Sequence, residues 1–367
     1  MRGHELLAFC LMLPLAAAGV PGRAAEGPLV KYGDPVPRDV RELYDAGIRY
    51  LLKTQDADGS WKDGQAGAGV TGMAMMVLLA SGEDPNYGPY RVPIRKALRN
   101  MIGQQDGGTG FFSGQHGGGH DSMYQHGFAM LALAEAYGVV DDRTLWTEPG
   151  AQKVGPGAGR PIGKALELAA QRAVSSGKQN PFGAWRYSPE AKDADTSVSG
   201  AVLMGLLAAR NAGIEVPDEA IDRAIKYYVS MTGGNGQVGY SGGAGGGSDA
   251  VTSIGVLVYS IARRQELPQY KAAAKYLVSR STAGEQPGMD GYPGYTDYYR
   301  AQALFQCNVQ AWEKWNMLLV KKLKAMQGKD GSLSGVAGMG GTGGTVATSL
   351  YLLSLAVNYK FLPVYER

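Results

Sequence analysis

The chain has 367 residues, 44% of them hydrophobic, and a formal net charge of +3. So small a positive excess excludes a nucleic-acid or anionic-membrane surface as the basis of function, while the apolar content is ample for a large core. Glycine is the outlier at 55 residues, about twice the usual frequency, and it clusters in short runs such as Gly242 to Gly247.

The N-terminus has the pattern of an export signal. Arg2 precedes an apolar run from Leu6 to Val20, and small residues follow at Ala24 and Ala25. A signal peptide over 1–25, cleaved after Ala24 or Ala25, is expected, and with it a periplasmic or secreted protein. Cys10 lies inside the apolar run and not at its end, which argues against a lipoprotein signal. After cleavage Cys307 is the only cysteine, so no intrachain disulfide can form. No other segment is long and apolar enough to span a bilayer. Residues 26–37 form a Pro- and Gly-rich lead-in, and residues 38–367 a single domain.

That domain is one unit written six times. Each copy has a charged amphipathic helix, a Gly-rich turn carrying Gln or an aromatic residue, and an apolar helix. The amphipathic helices are expected over 39–55, 93–104, 162–177, 218–231, 269–279 and 309–326. In the fourth, Ala220, Ile221, Ala224, Ile225, Tyr228 and Val229 recur at helical spacing, and Asp218 after Pro217 marks its start. The apolar helices are expected over 70–80, 128–137, 198–209, 251–262, 299–307 and 346–357. The turns include Gln55 to Trp61, Gln104 to Phe112, Gly183 to Tyr187, Gly236 to Tyr240, Gly291 to Tyr295 and Gln327 to Leu333. A helix apolar on all sides must be buried. Six half-exposed helices alternating with six buried ones predict an all-α (α/α)6 toroid, two concentric rings around a central cavity. An insertion from Asp141 to Arg160 is expected to loop over one face of the ring and border its mouth.

The turns Gln55…Gly59-Ser60-Trp61 and Gly183-Ala184-Trp185, each followed by an apolar helix, resemble those of the terpenoid cyclase and protein prenyltransferase α/α-toroids with squalene-cyclase-type repeats. Met123-Tyr124-Gln125-His126-Gly127 and Trp185-Arg186-Tyr187…Asp195-Thr196-Ser197 are similar to segments of exported bacterial proteins with prenyltransferase-type repeats. The resemblance covers about residues 39–360 and implies the fold. It implies no particular activity.

Two motifs of the resemblance can be tested residue by residue. Class II cyclases carry Asp-X-Asp-Asp before an inner helix, the middle Asp acting as the acid, which must stay protonated through burial. Here the segment is Asp193-Ala194-Asp195-Thr196: Asp195 would be the acid and Asp193 its partner, but the third carboxylate is Thr196. On the plainer reading, Asp195 or Thr196 caps the helix that follows. Prenyltransferases hold zinc with Asp, Cys and His on later inner helices. No His follows His126, and Cys307 ends a helix, so that site is missing. His116 and His120 could approach a metal, yet their spacing matches no zinc signature; no metal and no cofactor are expected. His126, at the start of the second apolar helix, is retained as a catalytic candidate.

Tyr124, Trp185, Tyr187, Asp249, Asp297 and Tyr298 are candidate ligand-binding residues at the cavity mouth. Tyr240 and Tyr295 belong to the same tyrosine-rich set, and Asp121, Asp195, Asp249 and Asp297 together could make an acidic ring. A thioester motif, a Gly-X-Ser-X-Gly elbow and a phosphate loop are absent. Three functions follow: an exported toroid binding a small molecule, glycan or protein at its mouth; a terpenoid cyclase using Asp195; or a carbohydrate-active lyase or hydrolase.

Overall fold

The computed structural model describes residues 36–63, 65–113, 122–282, 293–333, 344–359 and 362. The signal segment, most of the lead-in, His116, His120 and the first part of the fifth turn lie outside the described residues.

Twelve α-helices follow one another through the described residues. The outer helices are α1 (Arg38–Thr54), α3 (Arg91–Gln104), α5 (Ile162–Gln179), α7 (Asp218–Met231), α9 (Pro268–Thr282) and α11 (Val309–Met326). The inner helices are α2 (Ala68–Leu79), α4 (Ser122–Ala136), α6 (Thr196–Asn211), α8 (Asp249–Ile261), α10 (Pro293–Cys307) and α12 (Gly344–Ala356). A two-residue hairpin pairing, Lys62–Asp63 with Gln65–Ala66, decorates the first turn.

Every residue of α2 is buried, whereas α1 buries only one stripe, Val40, Leu43, Tyr44, Gly47, Ile48 and Leu51. Successive inner helices pack in the order α2, α4, α6, α8, α10, α12, and α12 packs back on α2. The inner ring is therefore closed, and the outer ring closes where α11 meets α1. The (α/α)6 toroid expected from the repeat is what the chain forms. Among the described residues, no helix is long and apolar enough to cross a membrane.

All six inner helices begin earlier than their apolar runs, α4 and α10 by six residues. Helix α4 starts at Ser122 and not Phe128, and α10 starts at Pro293, which takes Gly294 and Tyr295 out of the turn. The polar residues of these first turns belong to the helix but interrupt the apolar pattern that locates it. Proline is favoured at a first helical position because its missing N–H has no partner there.

Glutamines of three turns join their repeats to the next. Gln55 Nε2 donates to Gly59 O at 3.0 Å and to Pro93 O at 3.0 Å in α3. Gln105 Nε2 repeats this with Gly110 O (2.9 Å) and Ala165 O (2.8 Å) in α5. Gln327 Nε2 closes the circle, with Gly331 O at 3.1 Å and Leu43 O at 2.9 Å in α1. Gly331 has φ +90°, and a Cβ there would lie 2.1 Å from Ala46 O, so only glycine lets this turn rest on α1. The turn aromatics reach back to their own repeat: Trp61 Nε1 donates to Leu51 O (2.8 Å) and Trp185 Nε1 to Ala173 O (3.0 Å).

The insertion docks on α3, where Glu148 takes ion pairs from Arg91 (2.8 Å), Arg95 (2.8 Å) and Arg99 (2.5 Å). These arginines stand four residues apart on one helix face, so a single carboxylate reaches all three. Arg160 at its end donates to Gln105 Oε1 at 2.9 Å and so braces the second turn.

Replacing Gln327 by Leu should strip Leu43 O and Gly331 O of their shared donor. The expected loss is about 1–3 kcal/mol, read as a lower urea midpoint; an unchanged midpoint would show that ring closure does not depend on this side chain.

Candidate functional site

The N-termini of α4, α6 and α10 meet at one end of the ring. Each carries N–H groups without intrahelical partners and the positive end of a helix dipole. Around them the third and fourth turns bring Trp185 to Tyr187 and Tyr240. The turns are tied directly to the helix ends: Asp195 N donates to Trp185 O (3.1 Å), Thr196 N to Tyr240 O (2.9 Å) and Met123 N to Tyr187 O (3.1 Å).

Asp195 caps α6, its Oδ1 accepting from Val198 N at 2.7 Å. Its side chain is fully buried, and Oδ2 has no hydrogen-bond partner. Arg186 Nε stands 3.7 Å from that oxygen, while Arg186 Nη1 donates to Asp193 Oδ2 at 2.6 Å. Asp193 is 63% exposed. Burial pushes the Asp195 carboxyl up to about 6, against the opposing pull of the Val198 N–H and Arg186. The plain helix-capping role and a perturbed carboxyl thus coincide in one residue.

The tyrosines divide into two groups. Tyr124 donates to Ser197 Oγ (2.6 Å), and Ser197 Oγ meets Tyr295 OH at 2.7 Å, a bridge from α4 through α6 to α10. Below it, Phe128 of α4 and Tyr298 of α10 are in ring contact at 6.2 Å. Helices α4 and α10 stand opposite each other in the ring, so these side chains fill its centre at this level. The expected open cavity is narrowed here by residues buried to 6% and 3% exposure. The second group faces outward: Tyr187 OH and Tyr240 OH meet at 2.7 Å, Tyr240 is 39% exposed, and the Arg186 guanidinium lies 5.3 Å over the Tyr187 ring.

Other candidates stand apart from this cluster. His126 is fully buried in α4; its Nδ1 accepts from Phe112 N (3.3 Å) and its Nε2 donates to Ala169 O (3.1 Å). Thr71, Ser199, Thr252 and Thr348 accept from Trp61, Trp185, Val238 and Leu333 N–H in the same way. His126 therefore occupies a repeated structural position, and burial lowers it to about 4, keeping it neutral. The Trp185 ring packs inward on α5 and not into the mouth. Asp249 is ion-paired with Arg300 and with Arg280 (3.5 Å), and Asp297 with Lys322 (2.7 Å). The three aspartates described at inner-helix starts thus form separate ion pairs instead of a common acidic ring; Asp121 lies outside the described residues. Among the described residues no group of three His, Cys, Asp or Glu side chains is placed to hold a metal.

The structure therefore assembles Asp195, Asp193, Tyr124, Tyr187, Tyr240 and Tyr295, and adds Arg186 and Ser197.

No protein-family model and no curated protein matches the chain. Solved structures do. A glycoside hydrolase family 76 mannosidase from Bacteroides thetaiotaomicron superposes with TM-score 0.59 at 11% identity, over 88% of this chain and 98% of that one. The type II terpene cyclase MstE from Scytonema gives 0.57 at 15%, over 88% and 99%. An inactive α-1,6-mannanase from Salegentibacter, in complex with α-1,6-mannotetrose, gives 0.56 at 11%, over 88% and 98%. At such identities the likeness establishes the α/α-toroid and nothing finer.

Asp195 and His126 oppose each other in pH dependence. Between about 4 and 6 the native state holds a proton on Asp195 that the unfolded chain has lost, so stability falls as pH rises. Across nearly the same window the unfolded chain protonates His126 and the native state does not, so stability rises with pH. Asp195→Asn keeps the cap and removes only the first effect. The variant should gain stability relative to wild type as pH rises through 6, by on the order of 2 kcal/mol at pH 7.5. Denaturation midpoints at pH 4.5 and 7.5 measure this, and a variant equally destabilised at both would refute it.

Proposed function

We propose that this chain is an exported binding toroid whose ligand is a saccharide seated across Tyr187 and Tyr240 at the N-terminal mouth of the inner ring. The observation that carries this reading is the outward Tyr187–Tyr240 pair, flanked by Arg186 and Asp193. A sugar offers an apolar C–H face to an aromatic ring and hydroxyls around its edge to charged groups. The site has both kinds of surface, side by side. An apolar isoprenoid would need an apolar enclosure, and the centre between α4 and α10 is occupied by Phe128 and Tyr298. Toroids of this fold include one that binds α-1,6-mannotetrose. The apolar run of residues 6–20 and the small residues after it support export.

A second reading keeps the same mouth and makes Asp195 an acid toward a glycosidic oxygen. It is favoured by one observation, the unpartnered Oδ2 of a carboxyl held at about 6. Release of reducing ends from a bound oligosaccharide, lost in Asp195→Asn, would separate it from binding alone.

Calorimetric titration with α-1,6-mannotetraose and with cellotetraose tests the first reading. Binding of either is expected, with at least a tenfold loss, about 1.4 kcal/mol, in Tyr240→Ala. Wild-type protein that binds neither, or a Tyr240→Ala variant that binds as tightly as wild type, would overturn it.

A further inference from the structure

Three hydroxyls from three inner helices form a row just inside the mouth. Tyr124 of α4 donates to Ser197 Oγ of α6 at 2.6 Å, and Ser197 Oγ meets Tyr295 OH of α10 at 2.7 Å. Each stands in the first turn of its helix. Helices α4 and α10 are opposite members of the inner ring, so the row spans the toroid at this level. It is also tied to the rim. Met123 N and Ser122 Oγ donate to Tyr187 O at 3.1 and 2.6 Å, and Thr196 N donates to Tyr240 O at 2.9 Å. Tyr124 and Ser197 are thus one residue removed from bonds to both members of the outward Tyr187–Tyr240 pair.

One helical turn further in, the toroid is closed. Phe128 lies a turn beyond Tyr124 on α4 and Tyr298 a turn beyond Tyr295 on α10, and their rings are in contact at 6.2 Å. Phe128, Tyr298 and Tyr299 are buried, whereas Tyr124 and Tyr295 are only half-buried. A molecule entering from the mouth therefore meets the hydroxyl row before the apolar plug stops it.

The row has hydrogen-bonding capacity left over. Three hydroxyls carry three hydrogens, and the two bonds between them use two. The further contact of Tyr295 OH with Ser197 O, at 3.5 Å, is too long for an ordinary O–H···O bond. Whichever way the Ser197–Tyr295 bond runs, one hydrogen remains at that end of the row. At the other end the Tyr124 oxygen donates to Ser197 and keeps its lone pairs. Burial pushes both phenols up, so the row stays protonated and uncharged. Both phenol oxygens lie within 2.7 Å of the same Ser197 Oγ, which places them within reach of adjacent hydroxyls on one sugar ring. One of those hydroxyls donates to Tyr124, and its neighbour accepts from Ser197 or Tyr295.

We infer that Tyr124, Ser197 and Tyr295 are the floor of the mouth and read a pair of adjacent hydroxyls on the saccharide seated there. The three are specificity-determining residues, because a ring that lacks those hydroxyls leaves the capacity of the row unmet. The floor rests on the saccharide reading of the mouth and deepens it, from a stacking surface to a site that recognises a diol.

Titrations of Tyr295→Phe and Ser197→Ala with α-1,6-mannotetraose and cellotetraose, set beside wild type and Tyr240→Ala, test the floor. Tyr295→Phe keeps the ring packed on Tyr299 at 4.9 Å, and Ser197→Ala leaves the Asp195 cap of α6 in place, so both variants should fold. Each should weaken binding of the accepted sugar at least tenfold, at a temperature where its near-ultraviolet dichroism matches wild type. A row that only ties helices together would lower the melting temperature of ligand-free protein and leave the affinity of the folded protein unchanged. If Tyr240→Ala loses binding while either variant binds within tenfold of wild type, the mouth reading stands and the floor is overturned. If wild type binds neither sugar, or Tyr240→Ala binds as tightly as wild type, the mouth reading falls and the floor with it. Should one variant fail to fold, Tyr124→Phe takes its place under the same threshold.

Discussion

A helix that is apolar on every side has to be surrounded by protein. Helices α2, α6 and α12 meet this condition almost without exception, and no flat arrangement of twelve helices can satisfy it for six of them at once. Closing six such helices into a ring, with six amphipathic helices outside, surrounds each one. The rest of the molecule is organised by that closure. It sends all six inner N-termini to one end, brings the short turns together there, and leaves the outer helices one apolar stripe each. Glutamine contacts tie three of the turns to the next outer helix, the last of them joining Gln327 to Leu43.

The convergence of helix N-termini has an electrostatic consequence. Such an end of the ring favours carboxylates, and Asp195, Asp249 and Asp297 all sit there. Asp249 and Asp297 are met by arginines and a lysine from neighbouring helices. Asp195 differs: Arg186 stands 3.7 Å from it in an ion pair without a hydrogen bond and gives its hydrogen bond to Asp193 at the surface. Similar positions in the repeat thus carry different electrostatic tasks. At Asp195 burial raises the carboxyl, which costs stability at neutral pH.

Much of this was legible in the linear chain. The alternation of amphipathic and apolar helices shows in residue spacing, so the ring architecture followed from it. Asp195 stood out as a cap preceding an apolar helix, and Tyr187 and Tyr240 as aromatics in turns. What misled was similarity of type: Asp249 and Asp297 look like Asp195, and Trp185 looks like a ligand platform, yet its indole is committed to Ala173 O. His126 looks catalytic because histidine is rare here. Its two nitrogens instead do for the second repeat what a threonine or serine hydroxyl does in the others.

The sequence by itself determined the repeat, the two kinds of helix, the caps and the candidate carboxylates, because these depend on residues within a few turns of one another. Only the tertiary structure decided that Asp195 Oδ2 is left without a hydrogen bond, that Phe128 and Tyr298 meet across the ring, and that Tyr124, Ser197 and Tyr295 join three different helices. Those outcomes depend on contacts between segments tens to more than a hundred residues apart. Whether a buried oxygen finds a donor is settled by distances of a few tenths of an ångström that no local pattern encodes.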